Sequence, residues 1–124
     1  YSFVDRFDAN SYLYITRAMD YFDLYKQNNG NLAKAFEGSK IKFCIISFST
    51  DWLYPTSESK KIVIALNAIG AEVSFVEIVT NNGHDSFLVN EPAFFNTLKG
   101  FIDSTYEEFK NENWRWCSCW FNRY

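Results

Sequence analysis

The sequence predicts an α/β fold in which parallel strands are covered by helices. Two short apolar runs, Phe43–Phe48 and Val73–Ile78, have the length and continuity of strands that are buried on both faces. A helical pattern follows each run, so the elements come in the order strand, helix, strand, helix. That order is typical of a parallel sheet, because its neighbouring strands are joined through a covering helix.

Two amphipathic helices are predicted to cover these strands. The first spans residues 57–69 and ends at Gly70, a residue that readily closes a helix. Its apolar face comprises Ile62, Ala65, Leu66 and Ile69. The second begins near Pro92, a residue that suits the first turn of a helix. Its apolar face comprises Phe95, Leu98, Ile102 and Phe109.

The predicted sheet has too few strands to be complete. Parallel sheets are wide and covered on both faces, and two strands do not make a stable one. Either a strand escapes the pattern, or the rest of the sheet lies outside these 124 residues. The first residue is Tyr1 rather than Met, and we expect the chain to begin within a longer protein.

The residues before the first strand are predicted to be helical. Residues 11–25 place apolar side chains at intervals of four, four and three, which is the spacing of one helix face. These side chains are Tyr14, Ala18, Phe22 and Tyr25. A short helical stretch at Leu32–Phe36 then ends at Gly38, which suits a left-handed cap. We therefore separate 1–38 from the α/β portion, 39–110.

The last residues, 111–124, form an atypical aromatic tail. The tail holds three tryptophans within seven residues and two of the three cysteines, Cys117 and Cys119. An odd number of cysteines does not make a disulfide framework, so a reduced, cytoplasmic compartment is the simpler interpretation. With one distant histidine, this Cys-x-Cys pair lacks the ligand number and spacing of a zinc site. Cys44, within the first strand, is expected to be a small buried hydrophobic residue.

The composition is that of a globular protein, with 48% hydrophobic and 22% charged residues. The net charge of −3 argues against nucleic acid or an anionic membrane as a partner. No run approaches the roughly 18 to 20 apolar residues of a membrane span. The sequence also has no glycine-rich phosphate loop.

Two polar residues follow the two predicted strands, Asp51 after the first and His84 after the second. Ligand sites in open α/β sheets lie off the carboxyl ends of the strands. If the strands are neighbours, about 4.8 Å apart, their loops open side by side and the carboxylate can fix the tautomer of the imidazole. Acid followed by histidine is also the last part of the Ser, Asp, His order of α/β-hydrolases.

Each of these residues also has a structural interpretation. An aspartate after a strand commonly caps a turn, and a histidine beside a glycine commonly makes a local hydrogen bond in its loop. The pair, each at a strand end with one helix between, favours the catalytic interpretation. The nucleophile is missing, because the sequence contains no Gly-x-Ser-x-Gly elbow.

Several stretches of this sequence are long and particular. They are DRFDANSYLY (5–14), RAMDYFDL (17–24), FSTDWLYP (48–55) and GHDSFL (83–88). These stretches resemble the C-terminal part of the homoserine O-acetyltransferase family, which has the α/β-hydrolase fold. The resemblance extends from about residue 4 to about residue 103, and the aromatic tail does not share it.

The resemblance implies an acyltransferase with a ping-pong mechanism. In this family a serine takes the acetyl group from acetyl-CoA, and the hydroxyl of L-homoserine accepts it, giving O-acetyl-L-homoserine for methionine biosynthesis. His84 matches the general base, Asp51 the carboxylate that orients it, and Asp85 the position that holds the substrate's ammonium group. No cofactor or metal is implied, since acetyl-CoA is a substrate.

The resemblance also sets expectations for the whole protein. Residues 1–38 would be the end of a helical lid, and the parent enzyme is expected to be a cytoplasmic homodimer. The serine elbow, the oxyanion hole and an arginine that binds the substrate carboxylate lie upstream in the family. This chain alone is therefore predicted to be inactive. The choice between acetyl and succinyl donors stays open, because acyl selection depends on residues that are absent here.

Two other functions stay open. An α/β-hydrolase esterase would share the acid and the base but would use water as the acceptor. Asp85 distinguishes it, since an ester hydrolase has no need of an ammonium-binding carboxylate there. A non-catalytic remnant or interaction module is favoured by the missing nucleophile and the aromatic tail.

Overall fold

The predicted order of strand, helix, strand and helix follows an N-terminal helical segment. The computed structural model describes residues 5–121, and the side chains of residues 5–111. In chain order, its helices and strands are α1 (Ala9–Tyr21), α2 (Leu24–Gln27), β1 (Phe43–Phe48), α3 (Thr56–Ala68), β2 (Val73–Ile78) and α4 (Pro92–Phe121), with 3₁₀ helices at Leu32–Phe36 and Gly83–Phe87. The chain divides into two compact units, Tyr1–Gly38 and Ser39–Tyr124.

β1 and β2 are hydrogen-bonded neighbours that run parallel. Both strands have the bounds that the apolar runs predicted. Their register is continuous from the first pair of residues to the last, so both strands end at the same edge of the sheet. The prediction of a mixed α/β chain with parallel strands is therefore confirmed.

α3 connects β1 to β2 and packs on both strands. Leu66 on this helix is fully buried, and its neighbour Ala65 is also buried. The other residues of the predicted face, Ile62 and Ile69, are half-buried. Gly70 follows the helix with a φ of 70°, as expected of a closing glycine. In the described part of the chain, the buried apolar side chains are Phe48, Ala65, Leu66 and Ile78.

α4 presents a different face to the sheet from the predicted one. Three residues of the predicted face are exposed, namely Phe95 (47%), Ile102 (54%) and Phe109 (63%). Phe94 faces the sheet instead, and its ring centroid lies 5.8 Å from that of Phe48. The helix carries apolar residues in adjacent pairs, so two neighbouring stripes share the same helical spacing. Periodicity alone cannot select between two such stripes.

The N-terminal unit contains a helix break that the sequence pattern did not predict. α1 ends at Tyr21, and the carboxylate of Asp23 accepts a hydrogen bond of 2.9 Å from the Lys26 amide at the start of α2. A capping aspartate favours a new helix because it satisfies an amide of the first turn. The single face predicted across residues 11–25 is therefore divided, and it is not buried. Gly38 has the predicted left-handed conformation, with φ 78°.

The sheet is less covered than the sequence predicted. Ser47 and Phe48 of β1 are buried, but residues 43–46 are only half-buried. Within the described residues each strand has one hydrogen-bonded neighbour, so the outer edge of each is open. The expectation of strands buried on both faces is thus wrong for this chain by itself.

Each described helix falls short of the length or apolarity that a bilayer crossing requires. The predicted aromatic tail, residues 111–124, lies largely outside the residues whose side chains the structure describes. The side chains of its tryptophans, and of Cys117 and Cys119, lie outside the described residues.

We predict that residues 1–124 expressed alone will not form a well-packed monomer. Large side chains such as Tyr12 (68%) and Trp52 (82%) are exposed, and few apolar side chains of the described part are buried. Exposed apolar surface binds the dye ANS and promotes association. ANS fluorescence, sedimentation velocity and a near-UV thermal melt test this. A sharp melt of a monomer without dye binding would contradict the prediction.

Candidate active site

Asp51 and His84 are in direct contact at the carboxyl edge of the sheet. Nδ1 of His84 lies 2.9 Å from Oδ2 of Asp51. Asp51 lies in the loop after β1, and His84 lies beyond β2. The parallel register is the cause, because it brings both strand ends to one edge. The two residues that the sequence predicted to meet are therefore adjacent in space.

The carboxylate of Asp51 is buried and has a partner on each oxygen. Oδ1 accepts hydrogen bonds from the backbone amides of Leu53 and Tyr54, both at 3.0 Å. Oδ2 accepts from the imidazole of His84. Asp51 thus caps the turn that follows β1, as its structural interpretation predicted, and also binds the histidine. One carboxylate performs both tasks because each task uses a different oxygen.

These contacts keep Asp51 ionised. Burial is the largest influence on its pKa and raises it, because a buried charge loses hydration. The hydrogen bonds from the Tyr54 amide, the His84 ring and the Leu53 amide together outweigh burial, so the pKa of Asp51 falls below its ordinary value. An ionised acceptor on Nδ1 favours the tautomer that carries its proton there, which leaves the lone pair on Nε2.

His84 lies in a short helix, whereas the sequence predicted a loop at this position. Residues Gly83–Phe87 form a 3₁₀ helix in which the Leu88 amide donates to the Asp85 carbonyl at 2.8 Å. Gly83, with φ 63°, opens this helix. The His84 side chain keeps 33% of its surface accessible. His84 therefore lies on a short hydrogen-bonded helix and can still be reached from solvent.

Two aromatic rings pack against the imidazole, and sequence reasoning did not single them out. The Tyr54 ring lies 5.1 Å from that of His84, and the Phe87 ring lies 5.5 Å away in an edge-on arrangement. Phe87 follows His84 by three residues, and side chains three apart eclipse in a 3₁₀ helix. Tyr54 follows Asp51 by the same interval within the capped turn. The spacing within the 3₁₀ helix is the signal that points to Phe87.

Asp85 is exposed and lies on the same 3₁₀ helix as His84. Within the described part of the chain, its carboxylate takes part in no ion pair and no side-chain hydrogen bond. Asp85 is close to His84 because the two residues are adjacent in the chain, and its ammonium-binding role stays a prediction.

The serine hydroxyls near the site bind other groups than the imidazole. Ser86 is fully buried and donates to the Gly83 carbonyl at 2.6 Å, while Ser49 donates to the Thr80 carbonyl at 3.2 Å. Among the described side chains, no group of three or more His, Cys, Asp and Glu residues is placed to hold a metal ion. Cys44 is half-buried, and burial raises the pKa of its thiol.

The depressed pKa of Asp51 predicts how its contact with His84 responds to acid. A carboxyl with a lowered folded pKa stabilises the fold above its unfolded value, near pH 3.9, and this stabilisation is lost as the pH falls through the lower folded value. ¹³C NMR of a longer folded protein that contains this segment should place the Asp51 midpoint below that in concentrated urea. Asp51→Asn assigns the resonance. An equal or higher folded midpoint would refute the direction.

Three relatives among the known proteins share one name. A homoserine O-acetyltransferase of Pelagibacter ubique (strain HTCC1062) is 71% identical over 106 residues, which are 86% of this chain and 28% of that protein. One of Rhodospirillum rubrum is 59% identical over 108 residues, which are 87% of this chain and 28% of that protein. One of Mesorhizobium japonicum is 63% identical over 103 residues, 83% of this chain and 26% of that protein.

The similarity covers most of this chain but only part of each relative. No family model matches the chain. The chain spans 26–28% of the length of these relatives. At these identities the resemblance that the sequence showed is confirmed: the chain is homologous to a C-terminal portion of the homoserine O-acetyltransferases.

Proposed function

We propose that this chain supplies the acid and the base of a homoserine O-acetyltransferase of the α/β-hydrolase fold. The observation that carries the proposal is the 2.9 Å contact between Asp51 and His84 at the edge of a parallel sheet. The contact occurs in a chain that is 71% identical to part of a protein of that name. The nucleophile would come from residues outside these 124.

The proposed chemistry has two half-reactions. A serine hydroxyl gives its proton to Nε2 of His84 and attacks the thioester carbon of acetyl-CoA; the carbon–sulfur bond breaks, and the CoA sulfur takes that proton. The hydroxyl of L-homoserine next gives its proton to His84 and attacks the acyl-serine ester. The ester bond breaks, the serine oxygen recovers the proton, and O-acetyl-L-homoserine leaves.

Asp51 and the two aromatic rings would prepare His84 for these proton transfers. The carboxylate holds Nδ1–H, which keeps the lone pair on Nε2 and stabilises the imidazolium that forms in each half-reaction. The rings of Tyr54 and Phe87 limit rotation of the imidazole. No cofactor or metal has a part in this scheme.

Asp85 would hold the ammonium group of homoserine. It is exposed, carries a negative charge and directly follows the base, so an acceptor bound to it would lie near Nε2. We further infer that Tyr1–Gly38 is the end of a helical lid, that the parent enzyme is a homodimer, and that it acts in the cytoplasm in methionine biosynthesis. The names of the relatives favour acetyl over succinyl as the acyl group.

A chimera tests the proposed acid and base. In this chimera, this chain replaces the 28% of the Pelagibacter ubique protein that it matches. Asp51→Asn and His84→Ala should each lower homoserine-dependent thiol release from acetyl-CoA by several powers of ten, and the double variant should be no worse, because such residues act as a unit. Asp103→Asn, the same change at an exposed carboxylate on α4, is the control.

Two results would count against the proposal. If Asp51→Asn or His84→Ala keeps its activity within about threefold of the parent chimera, the altered residue is not part of the catalytic machinery. A chimera that folds but does not release thiol would favour a non-catalytic remnant.

The chain by itself should release no thiol, because it has no serine elbow whose hydroxyl His84 could deprotonate.

Asp85→Asn should weaken the use of homoserine but spare acylation. Loss of a charge-assisted contact costs about 1.5 to 3 kcal/mol, which is roughly a ten- to hundredfold loss in kcat/KM for homoserine. In stopped flow, the initial burst of thiol should keep its amplitude. A lost burst would assign Asp85 to the first half-reaction, and an unchanged kcat/KM for homoserine would leave it without the proposed role.

A further inference from the structure

The hydroxyl of Thr50 bridges the two loops that carry Asp51 and His84. Its Oγ1 donates a hydrogen bond to the Thr80 carbonyl at 2.8 Å and accepts one from the Gly83 amide at 3.0 Å. Thr50 directly precedes Asp51, and Gly83 directly precedes His84. One hydroxyl therefore connects the residue before the acid to the residue before the base.

Ser49 adds a second connection between the same loops. Its amide donates to the Ile78 carbonyl at 2.9 Å, which extends the pairing of the strands beyond β1. Its hydroxyl donates to the Thr80 carbonyl at 3.2 Å and accepts from the Thr80 amide at 3.1 Å. The buried Thr80 is thus fixed by both hydroxyls. We call Ser49, Thr50, Thr80 and Gly83 the loop clasp.

The contact between acid and base needs such a clasp. A single hydrogen bond of 2.9 Å joins Asp51 and His84, which lie on separate loops, so movement of either loop would break it. A displacement of about 1 Å at a catalytic group can cost about a hundredfold in rate. Of the clasp hydroxyls, that of Thr50 alone reaches the short helix on which His84 lies.

We propose that Thr50 is a positioning residue for the Asp51–His84 pair, a role that rests on the proposed acyl transfer. The hydrogen bonds of the Thr50 hydroxyl go to Thr80 and Gly83, so it acts by setting the distance between the loops that present Asp51 and His84. Its side chain is exposed, so removing the hydroxyl opens no cavity in the core. The effect of removal should therefore fall on the rate of proton transfer and not on stability.

The test compares Thr50→Val and Thr50→Ser in the chimera with the Pelagibacter ubique protein. Valine keeps the shape but removes both hydrogen bonds, and it should lower kcat about ten- to hundredfold while KM for homoserine changes by less than about threefold. Serine keeps the hydroxyl and should retain most of the rate. Thr105→Val, which removes a hydroxyl bonded to the Phe101 carbonyl within α4, should leave the rate unchanged.

A spectroscopic readout separates positioning from a general loss of structure. The proton shared by Nδ1 of His84 and Asp51 gives a downfield ¹H resonance, assigned by its absence in Asp51→Asn. This resonance should broaden or shift in Thr50→Val and return in Thr50→Ser, while the thermal midpoint stays that of the parent chimera. If Thr50→Val does not fold, Thr50→Ala makes the same comparison at this exposed position.

The outcomes distinguish this inference from the function on which it rests. Full activity of Thr50→Val, in a chimera that Asp51→Asn and His84→Ala inactivate, would overturn the positioning role alone. Equal losses in Thr50→Ser and Thr50→Val would also overturn it, because the hydroxyl would not be the cause. Undiminished activity of Asp51→Asn and His84→Ala would instead overturn the proposed function.

Discussion

The parallel pairing of β1 with β2 is the constraint on which the candidate active site depends. Because the register is continuous, both loops leave the sheet at one edge, and side chains separated by a whole helix come within 2.9 Å. An antiparallel pair would send these loops to opposite ends of the sheet. Burial of Leu66 against the strands fixes the connecting helix, so an apolar contact in the core supports the polar contact between Asp51 and His84.

Features with a strong local signal could be predicted from the sequence. The strand bounds follow from two short apolar runs, and the meeting of Asp51 with His84 follows from the polar residues after those runs. The end of α3 follows from the glycine at position 70. The face of α4 that packs on the sheet could not be predicted. Two neighbouring stripes of apolar residues have the same helical spacing, and only contact with the sheet selects the one that contains Phe94. The bridge from Thr50 could not either, since it depends on the distance between loops that are remote in sequence.

The structural and catalytic interpretations of Asp51 turn out not to compete. Turn capping by one oxygen fixes the carboxylate plane, and this fixed plane aims the other oxygen at the imidazole. The same amides lower the pKa of the carboxyl, so the contact that shapes the turn also maintains the charge. One set of hydrogen bonds therefore satisfies the turn amides and keeps a charged carboxylate beside His84.

Asp51 and His84 occupy a single strand–helix–strand unit, which is contiguous in the chain. A protein divided before β1 keeps Asp51 and His84 on one piece, already in contact. Among the described residues each strand has an open outer edge, whose backbone groups can pair with a further strand. Under the function proposed above, the rate of acyl transfer by two such pieces would rise with the product of their concentrations until binding saturates.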